Sequence, residues 1–389
     1  MTSASEPERP RSGRVPQRGD RGEDTRSQGL QTHGAVLQVI TDNDRRGGQV
    51  FAADLHVALV RRGVEVRTAA LAPASSSSGL DFDVLGPRRR HPRTLKRLRE
   101  AMVGSGVVVA HGSTTLPMCA LAGVGLDVPF VYRQISEQLF WAHNPSRRVR
   151  QRLALSRAAH VTVLWSGATK VMSERFGVPT DRITVIPNGV PADRCPPVTP
   201  SARHEARLRF GLDPDRPTLL YLGALVPEKG ADTLVSAMAD LTPAGWQLLV
   251  VGRGPELPRL QRLADQLPSG AVTIHDPVSS GAEAIAAADV IGLTSRGGDS
   301  MPAVLIEAGM MGVPAVATPV EGIVDIVLDR ETGRIVPLDD PAATAAAVAE
   351  VGERAREYGE AAQNHCLANF EIASVAARWH DVLDAVRSS

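Results

Sequence analysis

The chain has 389 residues, enough for two domains of ordinary size rather than a single core. Its apolar content of 43% and its 43 basic against 43 acidic residues describe a globular protein, with no global attraction to nucleic acid. Three widely spaced cysteines, Cys119, Cys195 and Cys366, indicate neither a disulfide framework nor a CxxC metal site, and fit a reducing, cytoplasmic compartment.

Residues 1 to 33 are polar and rich in Pro, Gly and Arg, without the apolar stretch of a signal peptide, and read as a disordered tail. From residue 34 the chain repeats strand, loop and helix. "GAVLQVI" is a buried strand and "TDNDRRGG" a loop; "QVFAADLHVALVRRG" then sets Phe51, Leu55, Ala58 and Leu59 on one helical face and stops at Gly63. "VEVRTAAL", "GVVVAH", "VPFVYR", "HVTVLW" and "ITVIPNG" are further strands. Short β-rich apolar runs alternating with helices predict a parallel sheet covered on both faces. The Pro-rich segment "PNGVPADRCPPVTPSA" reads as a linker that ends this half near residue 196.

The second half restarts the rhythm with "PTLLYLG", "WQLLVVG", "AVTIHD", "VIGLTS" and "PAVATPV" as strands, up to residue 370. Residues 371–389 form an amphipathic helix expected to pack back toward the N-terminal half. The expected fold class is α/β, two Rossmann-like doubly wound units facing across a cleft. In such sheets ligands bind beyond the carboxyl ends of the strands.

Only three of the basic residues are lysines: Lys96, Lys170 and Lys229. Lys229 stands in "LGALVPEKGADTL", a strand–loop–helix passage with Gly223 at the turn, where backbone N–H groups and an ammonium suit an anion. A surface turn with a solvated lysine is the competing reading. "VVGRGPEL" contains Gly252 but lacks the third glycine of a dinucleotide fingerprint, leaving a loop where a ligand can approach the backbone. The stretch "SRGGDSMPAVLIEAGMMGVP" puts Asp299 in a loop and Glu307 inside a largely apolar helix. A carboxylate there either reaches solvent or accepts hydrogen bonds from something buried, and ribose hydroxyls are good donors. "DFD" (Asp81, Asp83) and "DPD" (Asp213, Asp215) read as solvated turn acids rather than a metal site. "PRRRHPRTLKRLREAM" (residues 87–102) is either an exposed Arg-rich helix or a point of peripheral contact with an anionic membrane at its inner face.

Together, "LGALVPEKGADTLVSAMADL", "LLVVGRGPEL", "ITVIPNGVP" and the stretch from "HDPVSSGAEAIAAAD" to "VEGIVDIV" resemble the GT-B glycosyltransferases of retaining family 4, most strongly over 217–340. The family's Glu, seven residues, Glu signature appears as Asp299, seven residues, Glu307. The resemblance implies a nucleotide-sugar donor, UDP- or GDP-linked, held by the C-terminal domain, with no cofactor and no essential metal. Glu307 would accept from the ribose, Lys229 would hold the diphosphate, and Val278 would meet the base through its backbone. Gly223, Gly252 and Val304 would border the donor, and the loop of Asp299, Ser300, Met301 and Pro302 would contact its sugar and phosphates. In the N-terminal domain Gly47 and Gly48 match a glycine pair that approaches donor and acceptor. His111, which alone reads as a structural histidine, matches a histidine beside the sugar; with Asp299 and Lys229 it makes the implied catalytic set. The implied activity is hexosyl transfer to a hydroxyl acceptor with retention.

Three positions depart from the pattern. Ala224 stands where an arginine is common, Asp299 is one methylene shorter than Glu, and "VEGIVDIV" has Glu321 and Asp325 in place of Gly and Glu. These leave a second reading open, a lapsed transferase that binds a nucleotide sugar or a partner without turnover. An NAD(P) oxidoreductase is a more distant alternative.

Overall fold

A computed structural model describes residues 34–75, 79–135 and 145–388; the tail read from residues 1–33 lies outside the described residues. The first half builds a parallel sheet from β1 (Val36–Ile40), β2 (Val66–Ala70), β3 (Asp83–Val84), β4 (Val107–His111), β5 (Phe130–Arg133), β6 (His160–Val163) and β7 (Ile183–Val185). Their order is β3-β2-β1-β4-β5-β6-β7. The second half builds another from β8 (Thr218–Leu222), β9 (Gln247–Val251), β10 (Val272–His275), β11 (Val290–Leu293), β12 (Ala315–Ala317) and β13 (Gly333–Ile335), in the order β10-β9-β8-β11-β12-β13. Every pairing is parallel.

The apolar runs explain this arrangement. β1, β4 and β9 are buried at every residue, as strands covered by helices on both faces must be. On one face of the first sheet, Leu98, Met102, Leu116, Leu155 and Met172 of four helices pack on Leu37, Val108 and Tyr132. On the other face, Phe51, Leu55 and Leu59 of the helix Gly47–Arg61 meet Val375, Trp379 and Leu383 of the last helix, Ile372–Arg387. The last helix is thus part of the first half's core. Glu371 starts it, accepting from the N–H of Ala373 at 2.6 Å.

The chain crosses between the halves at residues 186–199 and again near residue 371. The crossings are tied together: Val190 N–H donates to Phe370 O at 2.9 Å, and Ile372 N–H donates to Val190 O at 3.1 Å. The linker is therefore an ordered strap with a 3-10 turn at Ala192–Arg194. One expectation shifts slightly: Gly47 and Gly48 belong to the first turn of their helix rather than to the loop before it. Asp83, read as a turn acid, opens the edge strand β3.

Candidate functional site

Two cavities lie at the carboxyl ends of the second sheet's strands, and Glu307 borders both. The smaller, about 370 Å³, is walled by Leu222, Gly223, Val251, Gly252, Val278 and Val304, with Ala224 and Arg253 also on its lining. Gly252 is dictated by contact: a Cβ there would stand 1.9 Å from Gly223 O, so the loops leaving β8 and β9 can touch only without a side chain. Among the described residues Arg253 pairs only with Asp276, at 3.1 Å, and both side chains are largely exposed.

Glu307 projects from the helix Ala303–Met310, opposite Gly281, where an added Cβ would lie 3.2 Å from Oε2. Burial raises its carboxyl above the usual glutamate range; Arg194 opposes the shift and Asp54 adds to it. Arg194 is held by Asp54 through two contacts of 3.1 and 2.8 Å, so a strap residue and a residue of the helix Gly47–Arg61 set the electrostatics of a carboxylate in the second half.

The larger cavity, about 440 Å³, brings the two halves together. The second half supplies Lys229, Gly298, Asp299, Ser300, Met301 and Pro302. The first half and the strap supply Gly47, Gly48, Phe51, Asp54, Arg133 and Asn188. Lys229 Nζ donates to Asp299 Oδ1, and Ser295 Oγ donates to Asp299 Oδ2 at 2.5 Å. The two loops that carry this pair are laced together. Thr294 Oγ1 donates to Gly230 O at 2.7 Å, and Arg296 N–H donates to Glu228 O at 2.8 Å. Arg296 itself is spent on Asp232, Asp339 and Pro227 O. Across the cavity, the helix Gly47–Arg61 begins without a side-chain cap, which leaves its positive end open to an anion. Asp42 fixes the loop before it, accepting from Arg46 at 2.6 and 2.7 Å, Gln49 at 2.8 Å and Arg89 at 2.5 Å. Burial alone would raise the Asp42 carboxyl, but these partners hold it below its usual range.

The arrangement matches known proteins on both halves. Residues 216–353 match the family model described as "Glycosyl transferases group 1", and residues 45–194 match "Glycosyltransferase Family 4". A GDP-mannose-dependent alpha-(1-6)-phosphatidylinositol monomannoside mannosyltransferase of Mycolicibacterium smegmatis is 31% identical over 329 residues, 77% of this chain and 84% of that one. The chain belongs to the group 1 glycosyltransferases. A D-inositol 3-phosphate glycosyltransferase of Xylanimonas cellulosilytica is 37% identical over 195 residues, 46% of each chain. The crystal structure of Anabaena HepE in complex with UDP-glucose superposes with a TM-score of 0.79 at 18% identity, covering 91% of this chain and all of that one, which places the fold as GT-B.

In this glycosyltransferase the structure gathers every sequence-selected residue except His111 around the two cavities. His111 is 2% exposed and borders neither. Its Nε2 lies 2.9 Å from Gln38 Oε1 and its Nδ1 3.5 Å from a guanidinium nitrogen of Arg133. Burial, and then the charge of Arg133, hold its pKa well below the ordinary histidine value, so the ring is neutral. The residue facing the cavity from this corner is Arg133. Sequence reasoning passed over Arg133, Asn188, Arg194 and Asp54. For Arg133 a signal existed: a charged residue closing the otherwise apolar strand "VPFVYR" sits where ligands bind such sheets.

Proposed function

We propose that this glycosyltransferase moves a hexose-type sugar from a UDP- or GDP-sugar to a hydroxyl acceptor with retention of anomeric configuration and without a metal. The observation that carries the reading is the position of Glu307 between two cavities, one walled by apolar residues and glycines, the other holding Lys229 and Asp299. The smaller cavity takes the nucleoside, with the base against Val278 and the ribose hydroxyls donating to Glu307. The larger takes the diphosphate and the sugar, with Lys229 and the open end of the helix Gly47–Arg61 on the phosphates. Residues 34–196 then form the acceptor domain and 197–370 the donor domain, with 371–389 returning to the former. Donors of both nucleotide classes have support among similar proteins, one GDP-mannose-dependent and one bound to UDP-glucose.

In the transfer step the acceptor oxygen approaches the anomeric carbon from the face that the diphosphate leaves. The carbon–oxygen bond to phosphate breaks as the bond to the acceptor forms, and the acceptor proton passes to the departing phosphate oxygen. Lys229 stabilises the charge that develops there, and closure of the cleft orients the reactants. Asp299, Ser300, Met301 and Pro302 meet the sugar. His111 serves as a positioning residue behind Arg133.

Contact with an anionic membrane surface fits one face of the acceptor domain. The helices Pro92–Met102, Thr115–Ala122 and Pro145–Leu155 cover the same side of the first sheet. On these helices and the segments that flank them Val103, Leu121, Val149 and Leu153 are exposed, as are Arg90, Arg93, Arg97 and Arg150. Two members of the basic cluster are engaged within the chain instead: Arg89 binds Asp42, and Arg99 donates to Ala122 O and Val124 O. Apolar side chains set among arginines suit the boundary of an anionic bilayer. Salt-sensitive co-sedimentation with phosphatidylglycerol vesicles, absent with phosphatidylcholine alone, is the expected result.

The deciding experiment screens UDP- and GDP-sugars by calorimetry. Donor hydrolysis or transfer is then followed by NMR of the released anomer, with and without EDTA. Release of the same anomer as the donor, unaffected by EDTA, supports the reading. Tight binding with no turnover on any acceptor points to a lapsed enzyme.

A further inference from the structure

Among the described residues three cations border the larger cavity, and two have a carboxylate: Arg194 pairs with Asp54 and Lys229 with Asp299. The third, Arg133, has none among the described residues. It closes β5 and is 1% exposed. Its guanidinium carbon lies 3.7 Å from the centroid of the Phe51 ring. One terminal nitrogen donates to Asn188 Oδ1, the other lies 3.5 Å from His111 Nδ1, and Nε has no partner among the described residues. Phe51, Asn188 and the neutral His111 carry no charge to match it. Burial lowers its pKa to about 9. A desolvated charge facing neutral partners costs free energy unless an anion arrives, and the planar guanidinium retains N–H groups in a fork suited to phosphate or carboxylate.

We infer that Arg133 is the receptor for an anionic group, a phosphate monoester or a carboxylate, carried by the acceptor. Two observations assign that anion to the acceptor rather than the donor. Arg133 belongs to the first sheet, stacked on Phe51, and does not border the smaller cavity; the donor diphosphate already has Lys229 and the end of the helix Gly47–Arg61. Asn188 joins the two walls: its Oδ1 accepts from Arg133, while its Nδ2 donates to Met301 O at 2.6 Å and its backbone N–H to Met301 Sδ at 3.1 Å. The acceptor's charge is thereby held at a fixed offset from the loop proposed to contact the donor sugar. Gln38 and His111 complete the support, because Gln38 Oε1 accepts a hydrogen bond from Nε2–H, which leaves the lone pair of Nδ1 toward the guanidinium. The inference rests on the glycosyl-transfer reading only in calling the anionic ligand an acceptor.

The test uses the full chain saturated with UDP or GDP, whichever binds, and compares two pairs by calorimetry: glucose with glucose 6-phosphate, and glycerol with glycerol 3-phosphate. The wild-type protein is expected to prefer the phosphorylated member of at least one pair by about tenfold or more, as for a charge-assisted hydrogen-bonded contact. Arg133→Gln should abolish the preference and Arg133→Lys should keep part of it, with nucleotide affinity changed less than about threefold in both. Equal binding of phosphorylated and neutral members by the wild type overturns the inference. So does an Arg133→Gln variant whose nucleotide affinity falls as far as its phosphate preference, because the arginine then serves the donor. If no nucleotide binds, the same titrations on the unloaded protein still read Arg133, and the glycosyl-transfer reading alone fails.

Discussion

Lys229 and Asp299, which stand seventy positions apart on loops leaving β8 and β11, meet as an ion pair inside the larger cavity. The ammonium proposed to hold the diphosphate therefore already has an anion, and a second hydrogen bond from Ser295 fixes that anion in place. Donor phosphates must share or displace Asp299. Asp299→Asn should free the lysine and tighten nucleoside diphosphate binding several-fold, while slowing transfer. Lys229→Ala should lower the transfer rate about 10²- to 10³-fold, as loss of one preorganised electrostatic group does. Calorimetry and steady-state kinetics on the two variants separate these effects. An unchanged nucleotide affinity in Asp299→Asn would show that the pair does not compete with phosphate. Asp299→Glu, one methylene longer, asks whether the shorter acid sets donor choice.

Glu307 predicts a pH dependence of donor binding. Its carboxyl titrates above the usual glutamate range because it is buried, with Arg194 opposing the shift and Asp54 adding to it. Ribose hydroxyls donate to the ionised form, so bound donor favours ionisation. Affinity is then complete above the raised pKa and falls as pH drops through it, starting at a higher pH than for an exposed glutamate. Glu307→Gln should bind donor about 10- to 100-fold more weakly, the usual worth of hydrogen bonds to a charged group, and without that acid limb. Nucleotide titrations across the acidic range check both; an acid limb that survives in Glu307→Gln assigns it to another group.

These two carboxylates also illustrate what sequence reveals. Lys229, Asp299, Glu307 and the glycines were legible because each lies within a local strand–loop–helix unit whose carboxyl end is the ligand side whatever the rest of the fold does. Asn188, Arg194 and Asp54 were not, because their meaning depends on contacts between distant segments: Asn188 on Met301, Arg194 on Asp54. His111 marks the limit of a single-residue reading. It ends a strand buried on both faces, so alternation cannot tell whether its ring meets the cleft or the core; the structure turns it toward Gln38, with its ring 6.3 Å from that of Trp379.

Gly230 tests how tightly the Lys229 loop is built. It caps the turn in a left-handed conformation, with φ of 63°, and a Cβ there would stand 2.0 Å from Thr294 O on the Asp299 loop. Gly270 has a similar φ of 75°, but its nearest neighbour to an added Cβ is the end of Arg216 at 3.8 Å. Gly270→Ala should cost about 1 kcal/mol, the conformational term alone. Gly230→Ala adds a backbone clash and should cost about 2–4 kcal/mol, with a drop in activity beyond the loss of folded protein. Denaturant midpoints of the two variants compare the terms directly, and equal costs would mean that the Thr294 contact yields freely.

Ala224 and Arg253 form a last testable pair. Ala224 occupies the position where the resemblance leads one to expect an arginine, yet the smaller cavity is not without a cation, since Arg253 borders it too. Among the described residues its one salt bridge, to Asp276, is exposed at both ends, and such pairs contribute little, so the guanidinium is free to turn toward the donor. Arg253→Ala should weaken donor binding by about 1–3 kcal/mol, the range for a hydrogen bond to a charged group. Ala224→Arg in that background should recover most of the loss, whereas the same change in the wild type should add little because the charge is already supplied. Calorimetry on the four proteins closes the cycle. Additive effects would mean that the two positions serve different parts of the donor; a full rescue would mean that Arg253 stands in for the residue Ala224 lacks.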